Sequence, residues 1–166
     1  MSERQKDAVE QTRLHEKIDQ MLTEARVILP GSQALLGFQL AIVLTQAFDK
    51  LSPTLKIVHG AALLFISLSI VLLMAPAAYH RIVYKGEDSE EFHRVGSWFV
   101  TYSTIPLALG LGADVFVVGT KIVASEVAAA VAGVAVLALL IAIWHVLPLL
   151  RRWRQGSRLD LSKLST

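Results

Sequence analysis

The sequence predicts an all-α fold: an integral membrane four-transmembrane-helix bundle with an N-terminal cytoplasmic amphipathic helix. Three observations predict it. Of 166 residues, 54% are hydrophobic and only 18% charged, with a mean hydropathy of +0.52; a soluble domain carries about a quarter charged residues. The shortfall is concentrated in four stretches without Asp, Glu, Lys or Arg, namely Val27–Phe48, Ile57–His80, Val95–Ala113 and Val127–Leu150. Each approaches or exceeds the roughly 18–20 residues that cross a bilayer. The basic residues, finally, alternate between connections. Five lie in the N-terminal arm, three between the second and third stretches and five in the tail, leaving only Lys50, Lys56 and Lys121 elsewhere. Under the positive-inside rule both termini and the middle loop are expected in the cytoplasm.

The expected organisation is a cytoplasmic helix over 1–29, a bundle over 30–150 and a basic cytoplasmic tail over 151–166. Spans are expected near 30–49, 55–80, 95–118 and 126–150. Met1–Arg26 is charged throughout and holds six acidic residues, unlike a cleaved signal or transit peptide. Span one is therefore expected to insert uncleaved. No Gly or Pro precedes Pro30, and Leu14, Ile18, Met21, Ala25 and Ile28 recur at spacings of 4, 3, 4 and 3. That seam fits a helix packed on its own bundle or on a neighbouring subunit, or else an arm resting on the membrane surface. Pro30 and Gly31 either kink a continuous helix or begin a new one.

Ser52 before Pro53 reads as an N-cap with proline at the first helical position. Span two then runs towards Lys85 and stops at Gly86. Asp88 with Glu91 three residues on resembles a capping box for the third helix, which is expected to end at Gly119 and Thr120. The fourth is expected to start near Ser125, with Ser125, Ala129, Gly133 and Ala124, Ala128, Ala132 as small-residue series for close helix contact, intramolecular or between subunits. Trp98, Trp153, Tyr79 and Tyr84 fall where an aromatic belt would lie on the cytoplasmic side.

The chain has no cysteine, which removes disulfides, thiolate metal sites and cysteine nucleophiles together. It shows no phosphate loop, no HExxH and no GxSxG, so an enzyme is not expected, nor a nucleic-acid partner. No Asp, Glu, Lys or Arg stands at the middle of a span, which disfavours a proton- or sodium-coupled carrier. The pathway or polar-face candidates are Ser32, Gln39 and Gln46, seven residues apart, with Gln33, and Thr101 and Thr104 on span three. A cytoplasmic-end cluster gathers Glu24, Arg26, His80, Arg81, Glu90, Glu91, His93, Arg94 and His145, with Arg81 and Arg94 expected to pair the acidic run. Histidine there suits hydrogen bonding or pH response; a metal site would need more ligands than the chain offers, and no cofactor is expected. His59, Asp114 and Glu126 form a charged outer side, expected mainly as ion pairs. Arg151, Arg152 and Arg154 are candidates for anionic lipid, each worth on the order of 1 kcal/mol.

Glu24-Ala25-Arg26-Val27 followed by Gly31, Gln33, Leu36 and Phe38, and then Ala75-Pro76-Ala77-Ala78-Tyr79-His80-Arg81, resembles a family of small bacterial four-span membrane proteins classed as a domain of unknown function. Some relatives in that family carry a loose sodium:proton antiporter label. Where the family pattern has a Leu-Pro-Phe-like stretch late in span one, this chain has Leu44-Thr45-Gln46-Ala47-Phe48. The resemblance implies a multi-pass protein of the bacterial cytoplasmic (inner) membrane without an established mechanism. The functional expectation is a small homo-oligomeric channel or ion-transport-related protein in the lipid bilayer, with the glutamine face lining a path between subunits. Its alternative is a non-transport scaffold, sensor or accessory subunit acting through the cytoplasmic helix and tail.

Overall fold

A computed structural model describes residues 3–153. Five helices follow in order, α1 (Glu3–Val43), α2 (Gln46–Asp49), α3 (Pro53–Ile82), α4 (Glu90–Val123) and α5 (Glu126–Ile141), and a π-helical segment, Ala142–Val146, extends α5. There is no strand among the described residues. Four helical stretches, Glu3–Val43, Pro53–Ile82, Glu90–Val123 and Glu126–Trp153, are long and apolar enough to cross a membrane. The chain divides into two compact units, residues 1–110 and 111–166, with the boundary inside α4.

In the first unit α1 is one helix of 41 residues that runs straight through Pro30. Proline removes the amide that would reach the Arg26 carbonyl, yet the arm and the first apolar stretch remain continuous. The helix ends at Val43 rather than near residue 49. Thr45 then caps the short α2, its Oγ1 accepting from the Phe48 amide at 3.4 Å. Ser52 caps α3 as its sequence suggests, accepting from the Leu55 amide at 3.4 Å, with Pro53 in the first turn. At its other end α3 stops at Ile82, and Lys85 and Gly86 turn the chain with φ of 51° and 84°. Only glycine takes the second of these without steric cost. Ser89, not Asp88, caps α4: its Oγ accepts from the Phe92 amide at 3.1 Å. Asp88 is left free of that duty and is used elsewhere.

The core of this unit sits at the α3–α4 loop end. Ile18, Met21 and Ala25 of the α1 seam are buried with Leu73 of α3 and Phe92 and Val100 of α4, flanked by Leu14, Leu22, Ile28, Leu29 and Tyr84. The seam of the arm therefore packs on its own unit. Met21 fills the space beside Gly96, where an added Cβ would lie 2.5 Å from its Sδ and 3.7 Å from Pro76 Cβ. Further along, Ile66 occupies the notch beside Gly110 at 2.5 Å.

In the second unit the rest of α4 turns back into α5 through Ala124, whose φ of 52° is left-handed, costing about 1 kcal/mol for a residue with a Cβ. Ser125 caps α5, accepting from the Ala128 amide at 3.3 Å. The two helices meet through small residues. A Cβ on Gly133 would stand 2.7 Å from the Gly112 carbonyl oxygen, and one on Gly119 would stand 3.1 Å from Ala129 Cβ. The Ser125, Ala129, Gly133 series thus serves contact within the chain, whereas Ala128 and Ala132 are exposed and Ala124 lies in the turn. α4 continues past Gly119 and Thr120 to Val123 because Ala124, not the glycine, takes the left-handed turn. In the π segment the Leu147 amide reaches back five residues to the Ala142 carbonyl. Pro148 follows directly, and a widened turn relieves the crowding that its ring imposes on the preceding carbonyls.

Candidate functional site

The loop end of the first unit collects the titratable side chains. Because α3 ends at Ile82 and α4 begins at Glu90, a short connection holds Asp88 over the arm of α1. His15 Nδ1 lies 2.6 Å from Asp88 Oδ2, and His80 Nε2 lies 3.5 Å from Asp88 Oδ1. One carboxylate thus faces two imidazoles from two different helices. An ionised carboxylate only accepts, so His15 donates from Nδ1. The hydrogen bond to Asp88 and its negative charge raise the His15 pKa above the ordinary 6.5, with smaller contributions from Asp19 and Glu16 opposing a slight desolvation. Lys17 Nζ stands 3.6 Å from Glu90 Oε1, a second tie between arm and α4. Beneath these pairs, the His80 and Tyr84 rings pack on the fully buried Phe92, with centroids 4.7 and 5.3 Å away.

Much of the predicted cytoplasmic-end cluster is redistributed by this geometry. Arg81 and Arg94 do not pair the acidic run; among the described residues the ion pairs at this end join Asp88 and Glu90 to His15, Lys17 and His80. The reason is positional, since the docked arm lies closer to the connection than the outward-pointing arginines. Arg81, Glu91 and Arg94 are exposed and His93 is half-buried. Glu24 and Arg26 lie further along α1, where the Gln20 amide donates to Glu24 Oε1 at 3.3 Å. His145 belongs to the second unit, half-buried in the π segment. Among the described residues no group of three His, Asp or Glu side chains is placed to hold a metal ion.

The pathway candidates separate as well. Ser32 and Gln39 are buried on α1, at 3% and 2% exposure, whereas Gln33 is exposed. Ser32 Oγ donates to the Ile28 carbonyl at 3.2 Å. Gln46 does not extend their face, because α1 ends before it and Gln46 opens α2, exposed. Thr101 is exposed, and Thr104 donates to the Thr101 carbonyl at 2.6 Å, the local backbone bond common for membrane-helix hydroxyls.

At the other end of the unit, His59 is 3% exposed and its Nε2 lies 3.1 Å from the Gln39 carbonyl oxygen. A carbonyl can only accept, so Nε2 carries the proton. This carbonyl lies four residues before the end of α1, and the bond ties that end of the helix to α3. Phe48 covers the ring edge-on at 5.3 Å. Lys56 donates to the Asp49 carbonyl at 3.1 Å and lies over Phe48. His59 is thus a satisfied helix-end donor and not half of an outer ion pair. Asp114 and Glu126 stand apart from each other in the second unit: Asp114 is level with the stretch between the Gly112–Gly133 and Gly119–Ala129 contacts, and Glu126 opens α5.

Sequence reasoning missed His15 and Phe92. His15 sits one residue past Leu14 on a charged arm and looks like any solvated side chain; Phe92 lies within the acidic run, where an apolar residue three positions after Ser89 was the available signal.

No curated protein and no solved structure matches the chain. Residues 7–148, which take in most of the arm, its seam, α2 to α5 and the π segment, match the family of unknown function DUF6328, and the chain belongs to that family.

Proposed function

We propose that this is a multi-pass protein of the bacterial inner membrane that acts without transport or catalysis, as a scaffold, sensor or accessory subunit. It presents the docked arm of α1 and the α3–α4 connection to a partner in the cytoplasm. The distribution of Lys and Arg supports that orientation. One observation carries the reading: the polar face of α1 that a conducting path would need, Ser32 and Gln39, is buried inside the chain's own first unit. The arm end, by contrast, is a held platform of exposed charge above an apolar core. Anionic lipid at Arg151 and Arg152, with Arg154 outside the described residues, would hold the tail against the same leaflet.

Reconstituted protein should pass no Na+, K+ or H+ above protein-free vesicles. A photocrosslinker at the exposed Arg13 should give a discrete adduct in cells, lost in Ile18→Asp, which puts a charge into the seam. A second reading, a small oligomeric channel or ion-transport-related protein, is favoured by the glutamines that stay accessible, Gln33 on α1 and Gln46 on α2. A flux that falls when Gln33 or Gln46 becomes leucine would establish it and sink the first.

A further inference from the structure

We propose that copies of this chain pack side by side through α1, with Glu24 of one copy meeting Arg26 of the next. The inference rests on α1 crossing the membrane and is independent of whether the protein transports. Depth is the first step. Met21, Pro76 and Gly96 meet at one level of the first unit. Glu24 is three residues along α1 from Met21, Arg94 is two residues along α4 from Gly96 in the opposite direction, and Arg81 is five along α3 from Pro76. At about 1.5 Å per residue, Glu24 lies about 7 Å deeper than Arg94 and about 12 Å deeper than Arg81, and Arg26 deeper still. At that level α3 and α4 carry no Asp, Glu, Lys or Arg at all.

Both side chains are exposed on the described chain. Neither is in an ion pair among the described residues, and Glu24 receives only the Gln20 amide. Charges at such a depth are costly facing lipid and are normally paired. Glu24 and Arg26 cannot pair with each other, because residues two apart on a helix point to nearly opposite sides. They nevertheless sit at almost one depth, so the Glu24 side of one helix is complementary to the Arg26 side of another lying parallel. That is a heterologous, head-to-tail contact, the type that closes into rings.

The rest of the outward surface of α1 fits the same occupant. A groove lined by Asp19, Gln20, Thr23, Glu24, Val27 and Ile28 opens on the Glu24 side. Deeper on the opposite, Arg26 side, Ala34, Gly37 and Ala41 are all exposed, and a Cβ on Gly37 would meet nothing within 4 Å. Small residues there let a second backbone approach. The most apolar part of α1 is only 11% buried in the single chain, as is that of Glu126–Trp153, against 28% for α3 and 33% for α4.

The test is native mass spectrometry of the full chain in nanodiscs, with alkaline carbonate extraction of the source membranes checking insertion separately. The unaltered protein should be oligomeric. E24K alone and R26E alone should each lower the oligomeric fraction several-fold, the double variant E24K/R26E should restore it, and E24K chains mixed with R26E chains should form mixed oligomers. Rescue cannot arise within one helix, for the reason just given. Gly37→Leu, which leaves the charges intact, should also weaken association. Monomeric unaltered protein, unchanged assembly in both single reversals, or a loss that the double reversal does not restore would each overturn the contact. A chain that alkaline carbonate releases from the membranes would instead overturn the membrane placement on which it stands.

Discussion

The loop end of the first unit and the α4–α5 hairpin of the second solve the packing problem in opposite ways. At the loop end large side chains are buried together: Ile18, Met21, Leu73, Val100 and the fully enclosed Phe92. In the hairpin the contact is made by Gly112, Gly119, Ala129 and Gly133, with backbone against backbone. The fully buried side chains of greatest volume, Phe92, Ile66 and Pro76 among them, all belong to the first unit. The difference follows from what each surface would otherwise face. Ile18 and Phe92 stand beside the charged Lys17, Asp88 and Glu90, and an apolar side chain buried there gains about 1.5–3 kcal/mol from leaving water. A helix in lipid gains nothing by that route, so close approach and dispersion must hold it, and small residues permit both.

The largest expected effect would break the first solution. Phe92→Ala should destabilise the loop end by about 3–5 kcal/mol, the usual cost of emptying an aromatic site. The measurable result is a lowered melting temperature in detergent together with rapid tryptic cleavage at Arg13, as the arm loses its seat. An arm that stays protected would show that the ion pairs, not the core, hold it.

A glycine pair sharpens the comparison. Gly133→Ala places a methyl 2.7 Å from the Gly112 carbonyl oxygen. A backbone oxygen cannot step aside, so the helices must part, at about 1–3 kcal/mol. Gly96→Ala makes a closer approach, 2.5 Å, but to Met21 Sδ, the tip of a flexible thioether that changes rotamer readily. The expected order is therefore the reverse of the distances: Gly133→Ala should lower the melting temperature clearly more than Gly96→Ala. Equal losses would mean that Met21 is locked and that the loop-end core is as unyielding as the hairpin.

How much of this was legible in the residues depends on range. The 4-3 spacing of Leu14 to Ile28 marked the face of α1 that is buried, and Ser52-Pro53 and Ser125 marked helix starts correctly, because these are local rules. Pro30 left two geometries open, a continuous helix or a new one, and α1 takes the first. The seven-residue spacing of Gln39 and Gln46 assumed one helix, which the turn at residues 44–45 interrupts. His15 and Asp88 are 73 residues apart, and no periodicity joins them. Their meeting depends on the length of α3 and on the arm folding back beside it, information that only the assembled unit contains.

That pair sets the smallest effect and tests whether charge adds to the seating of the arm. With the arm docked, Asp88 raises the His15 pKa; with the arm released, the imidazole returns to its ordinary value near 6.5. A raised pKa in the docked state means that protonation favours docking. The contribution is therefore fully present below about pH 6.5 and is lost as pH rises through the raised docked value. The His15 side chain is 69% exposed, so solvent screening keeps the effect small. Hydrogen exchange of arm amides near His15 should be slower at pH 6 than at pH 8 after correction for intrinsic rates. The difference should shrink at high salt and vanish in Asp88→Asn, which removes the charge facing both His15 and His80. If the pH difference survived in Asp88→Asn, its source would lie elsewhere among the groups facing this end, Glu16, Asp19 and the Lys17–Glu90 pair. No pH difference even in the unaltered protein would instead mean that the apolar core alone holds the arm.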